Sequence, residues 1–363
     1  MRFTFFGGYD PAYPRNAVLR KGLRLAGADV RECRVSPSLK FWARYPALAI
    51  RFRRDTDILI VPEFCQKDMP PAAFLARLTG KRIIFDPLAA RFETKIVDWG
   101  WRPADSPAAR WNRRIDRKAF RLADLILADT AAHKDYFCAE YGLSATKIEV
   151  LPVGYDDELY RPAPDVDARA ATGRSEGTFD VMFFGSFLPL HGAEVIVQAA
   201  RTVAASDPSV RFTLVGDGRT LASVRAAATG LANITFVGRM PESDLRNRLA
   251  AADLALGVFG RTEKARRVVP NKIFQSMGAG KAVITARTPA VEELFRDDVN
   301  IRLCGEPLAE TLASAVLELK RDPDLRGRLA RAGLARVQAD FTSAALGRRL
   351  VEIAAARFGS RAR

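Results

Sequence analysis

The chain has 363 residues, 48% of them apolar and 27% charged, with a formal net charge of +15. That length suits two domains with a core each, and the composition is that of a soluble globular protein rather than a disordered or fibrous one. No run approaches the roughly 18 apolar residues of a membrane span, and the excess of Lys and Arg calls for an anionic partner: nucleotide, nucleic acid or acidic lipid surface.

The opening MRFTFFGGYDPAYPRN reads as a strand, Phe3–Phe6, running into Gly7-Gly8 and a turn. It is too short an apolar stretch for a signal peptide and lacks a small-residue cleavage site, so the expected location is cytoplasmic. Further buried strands are expected at Asp57–Val61, Arg82–Phe85, Asp124–Ala128 and Lys147–Leu151. The second half repeats the theme at Asp180–Phe184, Arg211–Val215, Asn233–Val237, Asp253–Gly257 and Ala282–Thr285. Helical patterns lie between, which predicts α/β architecture with parallel sheets. Tyr155–Gly177, rich in Pro, Gly, Asp and Ala, reads as a linker. The expectation is two Rossmann-like domains facing each other across a ligand cleft. The first covers residues 1–158, the linker 159–178 and the second domain 179–341. A helix in 342–363 crosses back to the first domain.

Two segments of the first half combine Arg with aromatics. Cys33–Arg54 carries Arg34, Lys40, Arg44, Arg51, Arg53 and Arg54 without an acid, among Phe41, Trp42, Tyr45 and Phe52. Pro107–Leu122 places Trp111, Ile115, Ala119 and Leu122 at helical spacing, with arginines on the other faces. Each reads either as a surface for an anionic membrane or as a docked helix with a solvated charged face. The cysteines Cys33, Cys65, Cys138 and Cys304 are scattered, against a disulfide framework or zinc site. With only His133 and His191, a histidine-rich metal centre is excluded. Neither a metal nor a cofactor is expected.

The most informative stretch is Val268–Leu294, VVPNKIFQSMGAGKAVITARTPAVEEL. Pro270 starts a helix, Gly278 and Gly280 end it, and Ala282–Ile284 begin a strand. A helix opening beside Lys272, fed by a loop with Arg261, Lys264, Arg266 and Arg267, aims N–H groups and charge at one point. That suits a diphosphate, although an ordinary strand–helix unit with a solvated basic loop has the same pattern.

DLILADT from Asp124, KIEVLPVGYD from Lys147, FFGSFLPLHG from Phe183, LVGDG from Leu214, FVGR from Phe236 and the run Pro270–Val283 occur in order. Together they resemble glycosyltransferases of the GT-B architecture, particularly family 4, over almost the whole chain. The resemblance implies retaining transfer of a sugar from a nucleotide sugar to an acceptor hydroxyl of a glycan, lipid or small molecule. It places the donor in the second domain and the acceptor in the first. On this reading Gly185, Ser186, His191, Gly216, Lys264, Arg267, Asn271, Lys272, Gln275 and Glu293 bind the donor. Asp86, Glu263 and Lys272 serve catalysis: Asp86 as a base, Glu263 at the sugar, Lys272 at the leaving group. Gly7, Gly8, Arg15, Asn16, Glu93, Lys95 and His133 belong to the acceptor or phosphate side. Structural alternatives accompany several of these: a turn at Asp86-Pro87, a capping role for Thr288, Pro289 and the acids after them, and a surface or capping role for His133.

The chain departs from the family at instructive places. Ser186 and His191 stand where an Arg and a Lys usually grip the diphosphate, and Arg267 and Gln275 replace the paired glutamates. These departures keep a non-catalytic sugar-nucleotide binder in view, beside an epimerase or phosphorylase on the same fold. A nucleic-acid-binding protein is suggested by charge alone and has no motif, so no nucleic acid is expected as partner.

Overall fold

The computed structural model describes residues 1–162, 177–306 and 308–359. The chain forms two compact units, Met1–Gly154 with Thr342–Arg363, and Tyr155–Phe341. Each is built on a six-stranded sheet in which every neighbouring pair runs parallel. The fold class is therefore α/β with two Rossmann-like units.

The first unit runs β1 (Arg2–Gly7), α1 (Pro14–Leu25), β2 (Asp29–Arg34), α2 (Phe41–Arg51), β3 (Ile58–Val61), α3 (Met69–Thr79) and β4 (Arg82–Phe85). A π-helical turn, Glu93–Asp98, then leads to α4 (Pro107–Leu122), β5 (Leu125–Ala128), α5 (Ala131–Tyr141) and β6 (Ile148–Val150). The sheet order is β2-β1-β3-β4-β5-β6. ILIV, IIF and LILA in the middle strands are buried on both faces, the pattern of a sheet covered by helices on each side.

The second unit continues β7 (Phe179–Phe184), α6 (Ala193–Ser206), β8 (Val210–Val215), α7 (Leu221–Ala227), β9 (Ile234–Val237), α8 (Glu242–Ala251) and β10 (Leu254–Leu256). It is completed by α9 (Asn271–Gly278), β11 (Val283–Ala286), α10 (Pro289–Leu294), β12 (Arg302–Cys304), α11 (Leu308–Arg321) and α12 (Pro323–Asp340). Its order is β12-β11-β10-β7-β8-β9. The two strands that sequence patterning missed, β2 and β12, each lie at one edge of their sheet. An edge strand is covered less, so DVRECR and RLC lack the apolar run of a central strand. Among the described residues no helix is long and apolar enough to cross a membrane.

The expected linker does not begin where its composition changes. Tyr155 donates its N–H to the Phe341 carbonyl at 3.0 Å, and its ring lies so close to Gly278 that an added Cβ would be 2.2 Å away. Tyr160 is buried and its hydroxyl bonds Glu242. Both tyrosines thus anchor the segment to the second unit, and the boundary falls at Gly154 rather than after residue 158. Residues 163–176, the greater part of the expected linker, lie outside the described residues.

The closing helix α13 (Ser343–Phe358) belongs to the first unit and packs along α1. Leu346, Leu350, Ile353 and Ala354 join Val18, Leu19 and Leu23 in one buried cluster. The helices touch backbone to backbone: a Cβ on Gly22 would stand 2.0 Å from the Ser343 carbonyl oxygen, and one on Gly347 2.0 Å from Gly22. Gly22→Val should therefore destabilise the protein by about 3 kcal/mol or more, because both backbones have to separate. Gly238→Ala, with nothing within 4 Å of the added atom, should stay within about 0.5 kcal/mol. Thermal melting of the two variants compares them, and equal melting would remove the close helix contact from the account.

Candidate functional site

In an open parallel sheet the ligand crevice lies beyond the carboxyl ends of the strands, where strand order reverses. In the second unit the reversal falls between β7 and β10. Gly185 ends β7 at φ +141°, a backbone that side chains disfavour. A Cβ there would stand 3.0 Å from Lys272 Nζ and 3.5 Å from His191 Cε1. Three of the residues expected to bind the donor thus meet at one point.

Lys272 occupies the first turn of α9. Its ammonium is buried without a hydrogen-bond partner and lies 4.0 Å from the centre of the Phe183 ring. Burial pushes its pKa well below the usual lysine value. His191 closes the 3-10 turn Pro189–His191, and its Nδ1 is buried without a partner. Burial first, then the Lys272 charge, holds its pKa well below the ordinary histidine value. A buried cation without a counter-charge is costly. An entering anion would offset that cost, and the N–H groups at the start of α9 would add to the attraction.

The other expected donor residues divide. Gly216 serves close packing, since its Cβ would meet the Gly185 carbonyl oxygen at 2.0 Å. Ser186 is exposed, while Lys264 and Gln275 are buried. Asn271 begins α9 with its Oδ1 buried and unpartnered. Glu263 is exposed and ion-paired with Arg267 at 3.0 Å. The expectation of an acid free for sugar hydroxyls thus meets a carboxylate already occupied by its neighbour four residues on. Glu293 is exposed, and the capping reading of this stretch holds: Thr288 accepts from the Val291 N–H at 3.2 Å with Pro289 at the first helical position.

The first unit pairs several of its buried charges. Arg15 and Asn16 lie in the first turn of α1, not in the loop before it, because Pro14 opens the helix. Arg15 is fully buried and donates to both Asp86 oxygens at 2.8 and 3.0 Å, and to the carbonyls of Leu151 and Pro152. The expectation of Asp86 as a base at the strand end is corrected accordingly: the carboxylate is committed to the guanidinium. His133 is not a surface residue. It is buried with Nδ1 2.6 Å from Asp129 and Nε2 2.9 Å from Glu93. Burial opposes its charge, but the two acids outweigh that and raise its pKa to about 9. At Gly7-Gly8 the space expected for a ligand holds the chain's own Asp68, which accepts from Gly8 N–H at 2.8 Å and pairs with Arg44. Lys95 lies 5.7 Å from the Trp101 ring centre.

Three acids here escaped the sequence reading. Glu63, two residues past β3, accepts from Asn16 at 2.6 Å and keeps a buried, unpartnered Oε2. Burial and the nearby Asp86 raise its pKa well above the usual carboxylate value. Asp68 follows on the turn Gln66–Asp68. Asp116 accepts from the N–H groups of Arg91 and Phe92 and from the Tyr141 hydroxyl. It turns the buried face of α4 toward Asn112, Asp116 and Phe120, and leaves Trp111 exposed. An acid just past a strand end was the available signal for Glu63, and an acid directly before the Met-Pro-Pro start of α3 for Asp68. Nothing in an arginine-rich helix marked Asp116 as buried.

Two family descriptions match the chain: "Glycosyl transferase 4-like domain" over residues 3–154 and "Glycosyl transferases group 1" over residues 178–322. The chain belongs to the group 1, family 4-like glycosyltransferases. It is 28% identical over 225 residues to the GDP-mannose-dependent monoacylated alpha-(1-6)-phosphatidylinositol monomannoside mannosyltransferase of Corynebacterium glutamicum, covering 60% of this chain and 58% of that protein. It is 26% identical over 220 residues to the D-inositol 3-phosphate glycosyltransferase of Segniliparus rotundus, covering 59% and 48%. The chain thus spans about half the length of the curated relatives it matches. Among solved structures, Anabaena Alr3699/HepE in complex with UDP and glucose matches with TM-score 0.76 at 18% identity, covering 98% of this chain and 100% of that one. Sucrose-phosphate synthase from Thermosynechococcus elongatus matches with TM-score 0.77 at 16% identity, covering 99% of each. At such identities these two neighbours bear on the fold, which is GT-B.

The Arg15–Asp86 pair generates a stability prediction. Asp86→Asn leaves a buried guanidinium without its counter-charge and should cost about 3 kcal/mol. The double variant Arg15→Met with Asp86→Leu should recover most of that loss. Melting of the single and double variants decides, and an unshifted Asp86→Asn protein would return Asp86 to the role of a free strand-end acid.

Proposed function

We propose that the protein is a retaining glycosyltransferase that moves a sugar from a nucleoside diphosphate donor to an acceptor hydroxyl. The observation that carries the reading is the meeting of Gly185, His191 and Lys272 at the switch point of the second sheet, with two buried polar groups unpartnered. Breaking the bond between the anomeric carbon and the diphosphate oxygen leaves negative charge on the leaving group. Lys272 and the N–H groups of α9 are placed to stabilise that charge, the main contribution such a site makes. Burial and the Lys272 charge hold His191 in its neutral form, and its unpartnered Nδ1 is placed to serve the diphosphate as a polar contact. The named donor of the C. glutamicum relative, GDP-mannose, supports the donor class.

A second reading has its own support. The Glu263–Arg267 pair, and Gln275 in place of an acid, suit a nucleotide-sugar binder that has lost turnover. Donor binding without transfer or hydrolysis would favour it.

The acceptor side is the first unit, and an acceptor at an anionic membrane surface suits its exposed side chains. On α2, Phe41, Trp42 and Ile50 are 67%, 67% and 84% exposed, among Lys40, Arg53 and Arg54. Trp111 on α4 is 58% exposed among Arg110, Arg114 and Arg117. Such a surface gives the protein a peripheral location, arginines at the headgroups and aromatics below them.

Two outcomes follow. Lys272→Met should weaken binding of UDP- or GDP-sugars about tenfold or more, since a charge-assisted contact is worth about 1.5–3 kcal/mol. Calorimetry showing unchanged affinity in the folded variant would end the assignment. In flotation, vesicles with anionic lipid should carry the protein at low salt, and those of phosphatidylcholine alone should not, at about 1 kcal/mol per cation. Equal, negligible recovery from both at low salt would leave these segments as solvated faces and favour a soluble acceptor.

A further inference from the structure

Two loops at the carboxyl edge of the first sheet, after β3 and after β4, share three unusual features. Each holds a non-glycine residue in the left-handed region, Phe64 at φ +59° and Leu88 at φ +55°, a strained backbone that clusters at functional sites. They are stitched together, with Phe64 N–H donating to the Pro87 carbonyl and Gln66 Nε2 donating to the Ala89 carbonyl at 2.8 Å. And they gather cations. Lys67 lies on the first loop and Arg91 on the second, with Lys95 four residues further in the π-helical turn Glu93–Asp98, and Arg91 acts on both lysines.

Among the described residues none of the three side chains is ion-paired with a carboxylate, although Asp68 acts on Lys67 and Asp116 on Arg91. Asp68 is taken by Arg44 and the Gly8 N–H, and Asp116 by backbone N–H groups and Tyr141. Arg91 Nε is buried and unpartnered, and Lys95 faces only the Trp101 ring. We infer that Lys67, Arg91 and Lys95 form an anion site for a phosphate group carried by the acceptor. The inference rests on the reading of the first unit as the acceptor side, and extends it to a phosphorylated acceptor class. Like charges held together by strained loops repel one another: burial first, then Arg91, lowers the pKa of both lysines. A phosphate reverses that repulsion, accepts from the guanidinium and both ammoniums, and leaves the acceptor's hydroxyls at the sheet edge where the chemistry is expected. Trp101, 44% exposed beside Lys95, provides an apolar wall for the rest of the acceptor.

The same phosphate chemistry comes from a soluble phosphomonoester or from a lipid headgroup, and two arms separate these sources. In the first, glycerol phosphate is titrated into the intact protein by calorimetry. In the second, the protein is floated with vesicles containing phosphatidic acid, with phosphatidylcholine vesicles as reference. Lys67→Gln, Arg91→Gln and Lys95→Gln should each weaken binding about tenfold in whichever arm the wild type binds. A triple variant with the same charge change at exposed Arg321, Arg328 and Arg331 of the second unit should bind like wild type. Binding to glycerol phosphate assigns a soluble acceptor, and binding only to phosphatidic acid vesicles assigns a lipid one. No binding in either arm, or equal losses in the two sets of variants, overturns the site. UDP- and GDP-sugar binding is measured on the same proteins: wild type that binds phosphate but no nucleotide sugar would sink the transferase reading and leave the anion site standing.

Discussion

A parallel sheet carries all its carboxyl ends to one edge, and every functional group argued for here stands on that constraint. Each crossover returns the chain to the amino end of the next strand, and the loops leave the sheet within a residue or two, Gly185 and Asp86 still donating to the Val215 and Val61 carbonyls. They are free to hold Gly185, Glu63, Asp86 and Asp129 just past β7, β3, β4 and β5. The apolar runs that force the strands inward therefore also fix where the charges emerge. In the second unit the reversal between β7 and β10 brings the strand-end glycine against the helix that follows β10, so Lys272 reaches Gly185 by topology rather than by sequence proximity.

The two units treat buried charge in opposite ways. The first compensates most of it, Arg15 with Asp86, His133 between Asp129 and Glu93, Asp68 with Arg44, while Glu63 Oε2 and Arg91 Nε stay unpartnered. Such pairs are neutral or costly against an apolar core, but breaking one is severe, so they hold the loops at the sheet edge in a single arrangement. The second unit leaves Lys272 and one nitrogen of His191 without partners. That arrangement carries a free-energy cost which an anion in the proposed donor site would relieve, whereas a structural ion pair has no such cost to release.

Strand-and-helix alternation was legible because central parallel strands are apolar on both faces, and the glycine loops were legible because close approach needs glycine. Strands β2 and β12 were not, since DVRECR and RLC carry charged residues where a central strand has an apolar run. The convergence on Gly185, His191 and Lys272 could be proposed from order along the chain, but Glu263 could not be seen to spend its charge on Arg267. The face of α4 was left undecided for a related reason. The spacing of Trp111, Ile115 and Ala119 left open a docked face or a membrane-facing one, whereas the buried face is set by Asp116, which backbone N–H groups from another segment satisfy. Pairings between distant segments set these outcomes, and a pattern in one segment does not contain them.

The departures from the family sequence make sense together. With Lys272 already buried, a second lysine at position 191 would place two ammoniums around one glycine, out of water and without an acid among the described neighbours that act on them. Histidine avoids that cost, since burial and the Lys272 charge keep its pKa low, and its ring still offers a polar nitrogen to the proposed donor. Ser186 in place of an arginine lowers the local charge further, and Arg267 keeps its guanidinium on Glu263. Charge is thus concentrated on one buried ammonium supported by a titratable ring. The affinity of such a site depends on how well Lys272 is shielded in the empty protein, and the Phe183 ring 4.0 Å from Nζ provides that shielding without competing with the ligand as a carboxylate would.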